Sequence, residues 1–168
     1  MGAHDHRDAA AGVGAVRVAI IIVSDSRTPA TDESGALARR LLEEAGHQVV
    51  SHGLLPNDEA AVRLEVSRLL EGDLDLILTS GGTGVSRRDR TVEAVSPLLE
   101  KRLDGFGEFF RRASEAEIGT AAMMSRALAG AARGKLVVCL PGSRGAVRTG
   151  LERVLLPELR HLIWELRR

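Results

Sequence analysis

The chain has 168 residues, with 23 basic against 23 acidic side chains, a single cysteine, and aromatic residues at only 2% of positions. This length fits one domain that buries a sizeable core without disulfides or metal ions. Neither the balanced charge nor the few aromatic side chains favour a surface that binds nucleic acid or a membrane. We therefore expect neither nucleic acid nor a membrane among its partners.

Residues 1–15 are rich in Ala, Gly, His and Asp and carry no periodic apolar pattern. They lack the basic start and apolar run of a signal peptide. The longest apolar run, residues 18–23, is much too short to span a bilayer. We expect a disordered tail over residues 1–15, rather than a metal site at His4 and His6, followed by one cytoplasmic domain over residues 16–168.

The first half of the chain alternates apolar runs with helical patterns. Strands are predicted over residues 16–23, 47–51 and 74–78, because these runs are continuously apolar or rich in β-branched residues. Between them lie two amphipathic helices, which end at Gly46 and Gly72 as glycine-terminated helices do. Their apolar positions are Leu37, Leu41, Leu42 and Ala45 in the first, and Val62, Val66, Leu69 and Leu70 in the second.

The second half is less regular. A helix is predicted from Thr91, with Pro97 as a kink or a late start. An aromatic cluster at residues 105–110 follows, and residues 114–117 resemble a capping box that opens a helix to about Leu128. A fourth strand at residues 136–140 contains Cys139, which we interpret as a core residue rather than a nucleophile. The last helix should bend at Pro157.

Alternating strands and helices predict an α/β domain with a parallel sheet. In such sheets, ligands bind outside the carboxyl ends of the strands. Four loops should therefore be neighbours, at residues 24–27, 56–58, 81–89 and 141–145, and each is rich in Gly, Pro, hydroxyl or acidic residues.

The most informative of these loops is the stretch LTSGGTGVSRRDRT at residues 78–91. Glycine lets a backbone approach a ligand closely, and free N–H groups before a helix form an anion site. We therefore predict a phosphate cradle with an acid at its rim, the alternative being a flexible turn from strand to helix. The loop matches neither the Walker A pattern nor G-x-G-x-x-G.

The predicted loops bring together the carboxylates Asp25, Asp58 and Asp89. They contain no histidine, so a Ser-His-Asp hydrolase is not supported, and no cluster has zinc-ligand spacing. Carboxylates beside a phosphate cradle suit Mg²⁺ and phosphoryl or nucleotidyl transfer. Each acid also has a structural alternative: Asp58 as the cap of the second helix, Asp89 as the first acid of the third, and Asp25 as a solvated turn residue.

At this point the sequence resembles the MoaB/Mog family of molybdenum cofactor biosynthesis proteins, over residues 16–162. The segment at residues 117–130 is most similar to the MoaB branch. The motifs that carry the resemblance are VSD at residues 23–25, DESG at 32–35, SGGTG at 80–84 with Asp89 and Thr91, GFGE at 105–108, SRA at 125–127 and LPGS at 140–143.

The resemblance implies a three-layer α/β/α, mostly parallel fold of the MogA/MoaB molybdopterin-binding type. It also implies adenylylation of molybdopterin by Mg²⁺–ATP with release of pyrophosphate. Implied catalytic residues are Asp89, Asp58 and Asn57, with Asp89 and Asp58 as metal ligands. Implied phosphate- and nucleotide-binding residues are Ser80, Gly81, Gly82, Thr83 and Gly84. Implied molybdopterin-binding residues are Ser24, Asp25, Ser34, Gly35, Pro141, Gly142 and Ser143.

Two departures from the family pattern bear on activity. Asn57 stands where the family has an acid after the loop proline, and Arg144 stands where many relatives have proline. The alternative to an adenylyltransferase is thus a protein that binds molybdopterin or its nucleotide without turnover. A homotrimer or homohexamer is expected from the resemblance, with an aromatic cluster at residues 106–110 as its support in the sequence.

Overall fold

The computed structural model describes residues 12–168, which form one mixed sheet of six strands covered by helices on both faces. The strands are β1 (Arg17–Val23), β2 (Gln48–Leu55), β3 (Leu76–Ser80), β4 (Lys101–Arg102), β5 (Leu128–Ala132) and β6 (Lys135–Leu140). Their order is β2-β1-β3-β6-β5-β4; β2, β1, β3 and β6 are parallel, and β5 is antiparallel to both of its neighbours.

The helices are α1 (Glu33–Glu44), α2 (Glu59–Leu70), α3 (Thr91–Val95), α4 (Asp104–Ile118), α5 (Arg144–Arg148) and α6 (Leu159–Arg167). Short 3₁₀ segments follow α3 and α4, at Ser96–Leu98 and Gly119–Met124, and a π-helical stretch, Thr149–Leu155, follows α5. None of the helices in residues 12–168 is long and apolar enough to cross a membrane.

Two hydrophobic clusters, one on each face of the sheet, make the fold a three-layer α/β/α sandwich. Along β1, alternate side chains enter opposite clusters, as the period of two in a strand requires. One cluster contains Ile20 and Ile22 with residues from α1, α4, α5 and α6. The other contains Ile21 with residues from α2 and α3. The predicted fold class is confirmed.

The path of the chain reverses direction between β1 and β3. From β1 it crosses through α1, on one face, to β2 at the edge of the sheet, and then returns through α2, on the other face, to β3. In doubly wound sheets, such a reversal opens a crevice at the carboxyl ends of the two central strands. The loops after β1 and β3 border that crevice.

Two strands at one edge of the sheet, β4 and β5, were not predicted from the sequence. A helix was predicted from Ser114 to about Leu128, but Ser114 lies inside α4, where its buried hydroxyl donates to the carbonyl of Phe110 at 2.8 Å. This back-bonding replaces the predicted cap. The small residues of β5 (LAGAA) then pair with β6 through a two-residue turn, in which Arg133 and Gly134 both have positive φ.

Other boundaries also differ from those predicted. β2 extends four residues beyond the strand predicted at residues 47–51, to Leu55, which pairs with Val23 at the end of β1. Pro97 follows the end of α3, and Pro157 separates the π-helical stretch from α6. Of the tail predicted for residues 1–15, residues 1–11, with His4 and His6, lie outside the described residues, while Val13 is buried in the core.

Cys139 is a core residue, as predicted. It is completely buried in β6 among apolar side chains. Burial raises the pKa of its thiol to about 12, and the neighbouring Thr79 hydroxyl opposes that rise only in part. A thiol with this pKa is not a nucleophile at neutral pH.

His47 attaches the start of the folded chain to the turn before β2. Its ring is buried, and its Nδ1 accepts a hydrogen bond of 3.2 Å from the backbone N–H of Val16. Only an unprotonated Nδ1 can accept this bond. Burial, and secondly the positive charge of Arg160, lower the pKa of His47 below 6.5.

This lowered pKa predicts a loss of stability in mild acid. The unfolded chain takes up the His47 proton at a pKa of about 6.5, before the folded chain does, so the contribution is complete above that pH and declines as pH falls below it. Urea unfolding between pH 7.5 and 5.5 should show a steeper decline for the parent than for His47→Gln. Equal slopes would contradict the assignment.

Candidate functional site

The four loops predicted to be neighbours do meet at the carboxyl ends of the parallel strands. The backbone N–H of Asn57, after β2, donates to Asp25 Oδ1, after β1, at 2.8 Å. The N–H of Gly81 donates to the carbonyl of Leu140 at the end of β6, at 2.9 Å. The hydroxyl of Ser80 donates to the carbonyl of Pro141 at 3.2 Å. This geometry confirms the predicted convergence of the loops.

The glycine loop, defined here as residues 81–84, turns sharply between β3 and α3. Gly81 and Gly82 have φ angles of 107° and 68°, in the left-handed region that favours glycine. A Cβ on Gly81 would collide with the carbonyl of Val23, and one on Gly82 would collide with Thr91 and lie 2.7 Å from Asn57 Oδ1. Both positions therefore require glycine.

Thr91, the first residue of α3, binds two carbonyls of the glycine loop. Its hydroxyl donates to the carbonyl of Gly81 at 2.7 Å, and its N–H donates to the carbonyl of Gly82 at 3.0 Å. In the described part of the chain, the N–H groups of Gly82, Thr83 and Gly84 donate to no protein acceptor. Three consecutive free donors in a glycine turn form a concave site for an anion.

Asp89 lies at the rim of the glycine loop, as predicted. Its Oδ2 accepts a hydrogen bond of 2.9 Å from the N–H of Ser86, and a Cβ on Gly84 would lie 2.7 Å from the same oxygen. The side chain lines an open groove of about 360 Å³ together with Arg87 and Arg90. One carboxylate oxygen thus shapes the loop, and the groove gives a ligand access to the side chain.

Asn57 and Asp58 occupy different environments. Asp58 is exposed and caps α2, with Oδ1 accepting from the N–H of Ala61 at 2.7 Å. This is the structural alternative that the sequence left open. The Oδ1 of Asn57 is buried beside Gly82 and has no hydrogen-bond partner among residues 12–168. Asn57, rather than Asp58, therefore places its side-chain oxygen against the glycine loop.

The predicted molybdopterin-binding residues lie around the same edge of the sheet. Ser24 accepts hydrogen bonds from its own loop, and Ser143 caps α5 by accepting from Ala146 at 3.1 Å. Pro141 and Ser143 line a cavity with the glycine loop. Ser34 and Gly35 are buried at the start of α1, where they support the loop that follows β1.

Arg27 is a site residue to which the sequence assigned no role. It donates to the carbonyl of Gly142 at 2.7 Å and to the hydroxyl of Ser34, and it lies 3.7 Å from the buried carboxylate of Asp32. Asp32 also contacts His52 Nε2 at 2.9 Å. Arg27 thus ties the loop after β1 to α1 and to the loop after β6. No local pattern signals these contacts, which span 115 residues in the case of Gly142.

The cavity beside the glycine loop has a volume of about 260 Å³ and is mostly apolar, with Phe110, Met124 and Pro141 in its lining. Thr83 also lines it, and the Thr83 hydroxyl is buried without a protein partner among the described residues. Buried polar atoms are usually hydrogen-bonded, so the unpaired hydroxyl of Thr83 favours a ligand in this cavity, and the unpaired Asn57 Oδ1 favours one beside Gly82. An apolar cavity beside free N–H groups suits a ring that carries a phosphate.

The acidic side chains at the site do not form a cluster of metal ligands. Within residues 12–168, no three His, Cys, Asp or Glu side chains gather as a metal site built from protein ligands alone would require. Mg²⁺ commonly uses only one or two carboxylates, together with substrate phosphates and water. The oxygens of Asp89, Asp25 and Asn57 fit that mode of binding.

The steric role of Gly82 can be separated from its backbone conformation. Gly134, in the β5–β6 turn, has nearly the same φ, 71° against 68°, but a Cβ there meets no atom within 4 Å. Gly134→Ala should cost about 1–2 kcal/mol of unfolding free energy because of the strained φ. Gly82→Ala should cost about 1–3 kcal/mol more through overpacking. Urea unfolding measures both, and equal losses would show that Asn57 and Thr91 do not confine Gly82.

Comparison with known proteins identifies relatives of this chain. A family model described as a probable molybdopterin binding domain matches residues 19–161. Molybdenum cofactor biosynthesis protein B of Bacillus cereus is 47% identical over 155 residues, 91% of this chain and 92% of the relative. A crystal structure of a molybdenum cofactor biosynthesis protein B is 46% identical, with a TM-score of 0.88 and coverage of 91% of this chain and 96% of that one.

A second solved structure is also similar. The tungsten cofactor synthesizing protein MoaB from Pyrococcus furiosus is 34% identical, with a TM-score of 0.84, and the match covers 94% of this chain and all of that one. Together with the family match over most of the domain, these similarities establish the family. The chain belongs to the MoaB/Mog family of molybdenum cofactor biosynthesis proteins.

Proposed function

We propose that this protein binds molybdopterin and transfers AMP to its terminal phosphate from Mg²⁺–ATP, with release of pyrophosphate. The observation that carries the proposal is that the N–H groups of Gly82, Thr83 and Gly84 have no acceptor among residues 12–168, in a chain of a molybdopterin-binding family. The apolar cavity beside that row supports binding of the pterin ring system.

In this reaction, an oxygen of the molybdopterin phosphate attacks the α-phosphorus of ATP. The bond between that phosphorus and the bridging oxygen breaks, and pyrophosphate leaves with the electron pair. Such a transfer depends on positioning and on neutralising charge, since little covalent chemistry falls to the protein. The glycine-loop N–H groups would hold phosphate oxygens, and the cavity lined by Pro141 and Ser143 would hold the pterin.

Mg²⁺ fits the oxygens present at the site. The Asn57 Oδ1 is buried without a partner in the described chain, and Asp89 lines an open groove at the rim of the glycine loop. These groups, with substrate phosphates, would hold the ion; Asp58, predicted from the sequence as a ligand, keeps one oxygen beyond its helix cap. Bound Mg²⁺ would neutralise phosphate charge and align the transferring group.

A second candidate function is binding of molybdopterin or its nucleotide without turnover. The observation that favours it is Asn57, whose amide has an oxygen but no negative charge to hold a cation. The decisive experiment is pyrophosphate release by the purified chain with molybdopterin, ATP and Mg²⁺. Release identifies the adenylyltransferase, and binding of molybdopterin without release identifies the alternative.

We also propose a homotrimer or homohexamer. Phe109 is 66% exposed on α4 and lines a large open groove with Val154 and Leu162, whereas its neighbours Phe106 and Phe110 are buried in the core. Contiguous exposed apolar surface is typical of contacts between subunits. Light scattering by the purified chain would measure the assembly.

Asp89→Asn should lower adenylylation by at least ~10²-fold, the scale of losing one group that stabilises transition-state charge. The amide keeps an oxygen to accept from Ser86, so the fold should persist. Asp73→Asn is a matched control, because Asp73 is a highly exposed loop acid at the opposite end of the sheet. Pyrophosphate release measures both variants, and a parental rate for Asp89→Asn would refute the assignment.

Asn57→Asp should raise the rate, because it places a negative charge where a buried oxygen already faces the glycine loop. Asp58→Ala should instead cost about 1 kcal/mol of stability through the lost helix cap and leave the rate near that of the parent. Steady-state pyrophosphate release and urea unfolding distinguish the two effects. If Asp58→Ala abolishes turnover while Asn57→Asp changes nothing, the metal ligand is Asp58.

A further inference from the structure

Arg126 donates hydrogen bonds to both ends of the segment at residues 83–89, which runs from the end of the glycine loop to Asp89. It lies on the connection between the 3₁₀ segment after α4 and β5. Its backbone N–H donates to the carbonyl of Thr83 at 3.0 Å, and its Nε donates to the carbonyl of Gly84 at 2.8 Å. Its Nη2 donates to the carbonyl of Asp89 at 3.4 Å. One residue therefore binds the segment from the end of the glycine loop, at Thr83 and Gly84, to Asp89.

Glu93, on α3, fixes the plane of this guanidinium. Both of its carboxylate oxygens accept from Arg126, Oε1 from Nη1 and Oε2 from Nη2, the latter at 3.3 Å. A two-point pair of this kind sets orientation as well as charge. The hydrogen bond from Arg126 also lowers the pKa of Glu93, which keeps the carboxylate ionised.

The pair completes a frame around the loop. Thr91, two residues before Glu93, binds the carbonyls of Gly81 and Gly82, while Arg126 binds those of Thr83, Gly84 and Asp89. The carbonyls of the loop are thus hydrogen-bonded within the protein, whereas the N–H groups of residues 82–84 are available to a ligand. The guanidinium donates to the carbonyls of Gly84 and Asp89 and to the carboxylate of Glu93, so its contacts order the loop.

We infer that Arg126, oriented by Glu93, is a positioning residue that fixes the glycine-loop N–H groups and Asp89 for adenylyl transfer. The inference rests on the function proposed above and adds to it a residue outside the predicted site. Lysine cannot replace this arginine, because a single ammonium group cannot span the Gly84 carbonyl, the Asp89 carbonyl and a two-point carboxylate pair.

Arg126→Gln and Arg126→Lys test the inference, with Arg111→Gln as the matched control. Arg111 lines the same cavity as Arg126 and donates to the carbonyl of Ser125 at 3.3 Å, but it does not bond to the glycine loop. Two measurements are made on the full chain: steady-state pyrophosphate release, and hydrogen–deuterium exchange of the segment at residues 82–90, in which the amides of Ser86, Arg88 and Asp89 are hydrogen-bonded and report protection.

Arg126→Gln and Arg126→Lys should both lower kcat about 10²-fold, the effect of misplacing a catalytic group by about 1 Å, with a much smaller change in the KM for ATP. Exchange at residues 82–90 should accelerate in both variants and stay parental in Arg111→Gln. Glu93→Gln should change kcat and exchange in the same direction as Arg126→Gln but by less, because the Arg126 bonds to the loop carbonyls remain.

Parental exchange at residues 82–90 in Arg126→Gln would overturn the inference. So would an equal loss of kcat in Arg111→Gln, since that would indicate general destabilisation, and so would full activity in Arg126→Lys. If the parent itself releases no pyrophosphate, the adenylyl transfer proposal and its positioning step both fail. The exchange comparison then decides separately whether Arg126 orders the glycine loop.

Discussion

The contact between Gly81 and the end of β1 is the constraint on which the site depends. The Gly81 backbone packs so closely on the carbonyl of Val23 that no side chain fits between them. At the same time, its N–H is bonded to Leu140 at the end of β6. The loop after β3 is thereby held against β1 and β6, the two strands that flank β3 in the sheet, at the crevice where the chain path reverses. Every other loop of the site is arranged around that fixed point.

From that point, side chains distribute the hydrogen bonds of the loop unequally. Carbonyl groups of the glycine loop are bound by Thr91 and Arg126, whereas three of its N–H groups have no protein acceptor in residues 12–168. A buried or half-buried backbone donor without a partner is costly, so such a row persists where a ligand can satisfy it. With its carbonyls bound and these donors unpaired, the loop offers N–H groups by which an anion would be held.

The sequence predicts the central sheet and the location of the site, because both follow from local patterns. Apolar runs mark β1, β3 and β6, and the loops after them are distinct in composition. β5 was missed because its residues, LAGAA, are small and not β-branched, and because Ser114 imitates a helix start. The turn at Arg133 and Gly134 between two apolar runs was the available signal for the hairpin.

Side-chain roles at the site were harder to predict, for two physical reasons. An acid before a helix can serve as a cap or as a ligand, and Asp58 shows only in the structure that it is a cap. Arg27 and Arg126 act on carbonyls 115 and 42 residues away in the chain, for Gly142 and Gly84, and no local pattern encodes such contacts. Loop composition therefore located the site but could not say which side chains organise it.

Under the proposed function, Asn57 would affect ligand binding and turnover in opposite directions. Its oxygen occupies the position beside Gly82 in which a carboxylate would stand, but it brings no negative charge there. An amide repels substrate phosphates less than a carboxylate at the same position, so anionic ligands gain affinity in the ground state. The same amide attracts Mg²⁺ less strongly, so stabilisation of the charge that develops during transfer is reduced. An asparagine in place of an aspartate at this position would thus favour binding of the ligand over its turnover, while the contacts that hold the glycine loop stay the same.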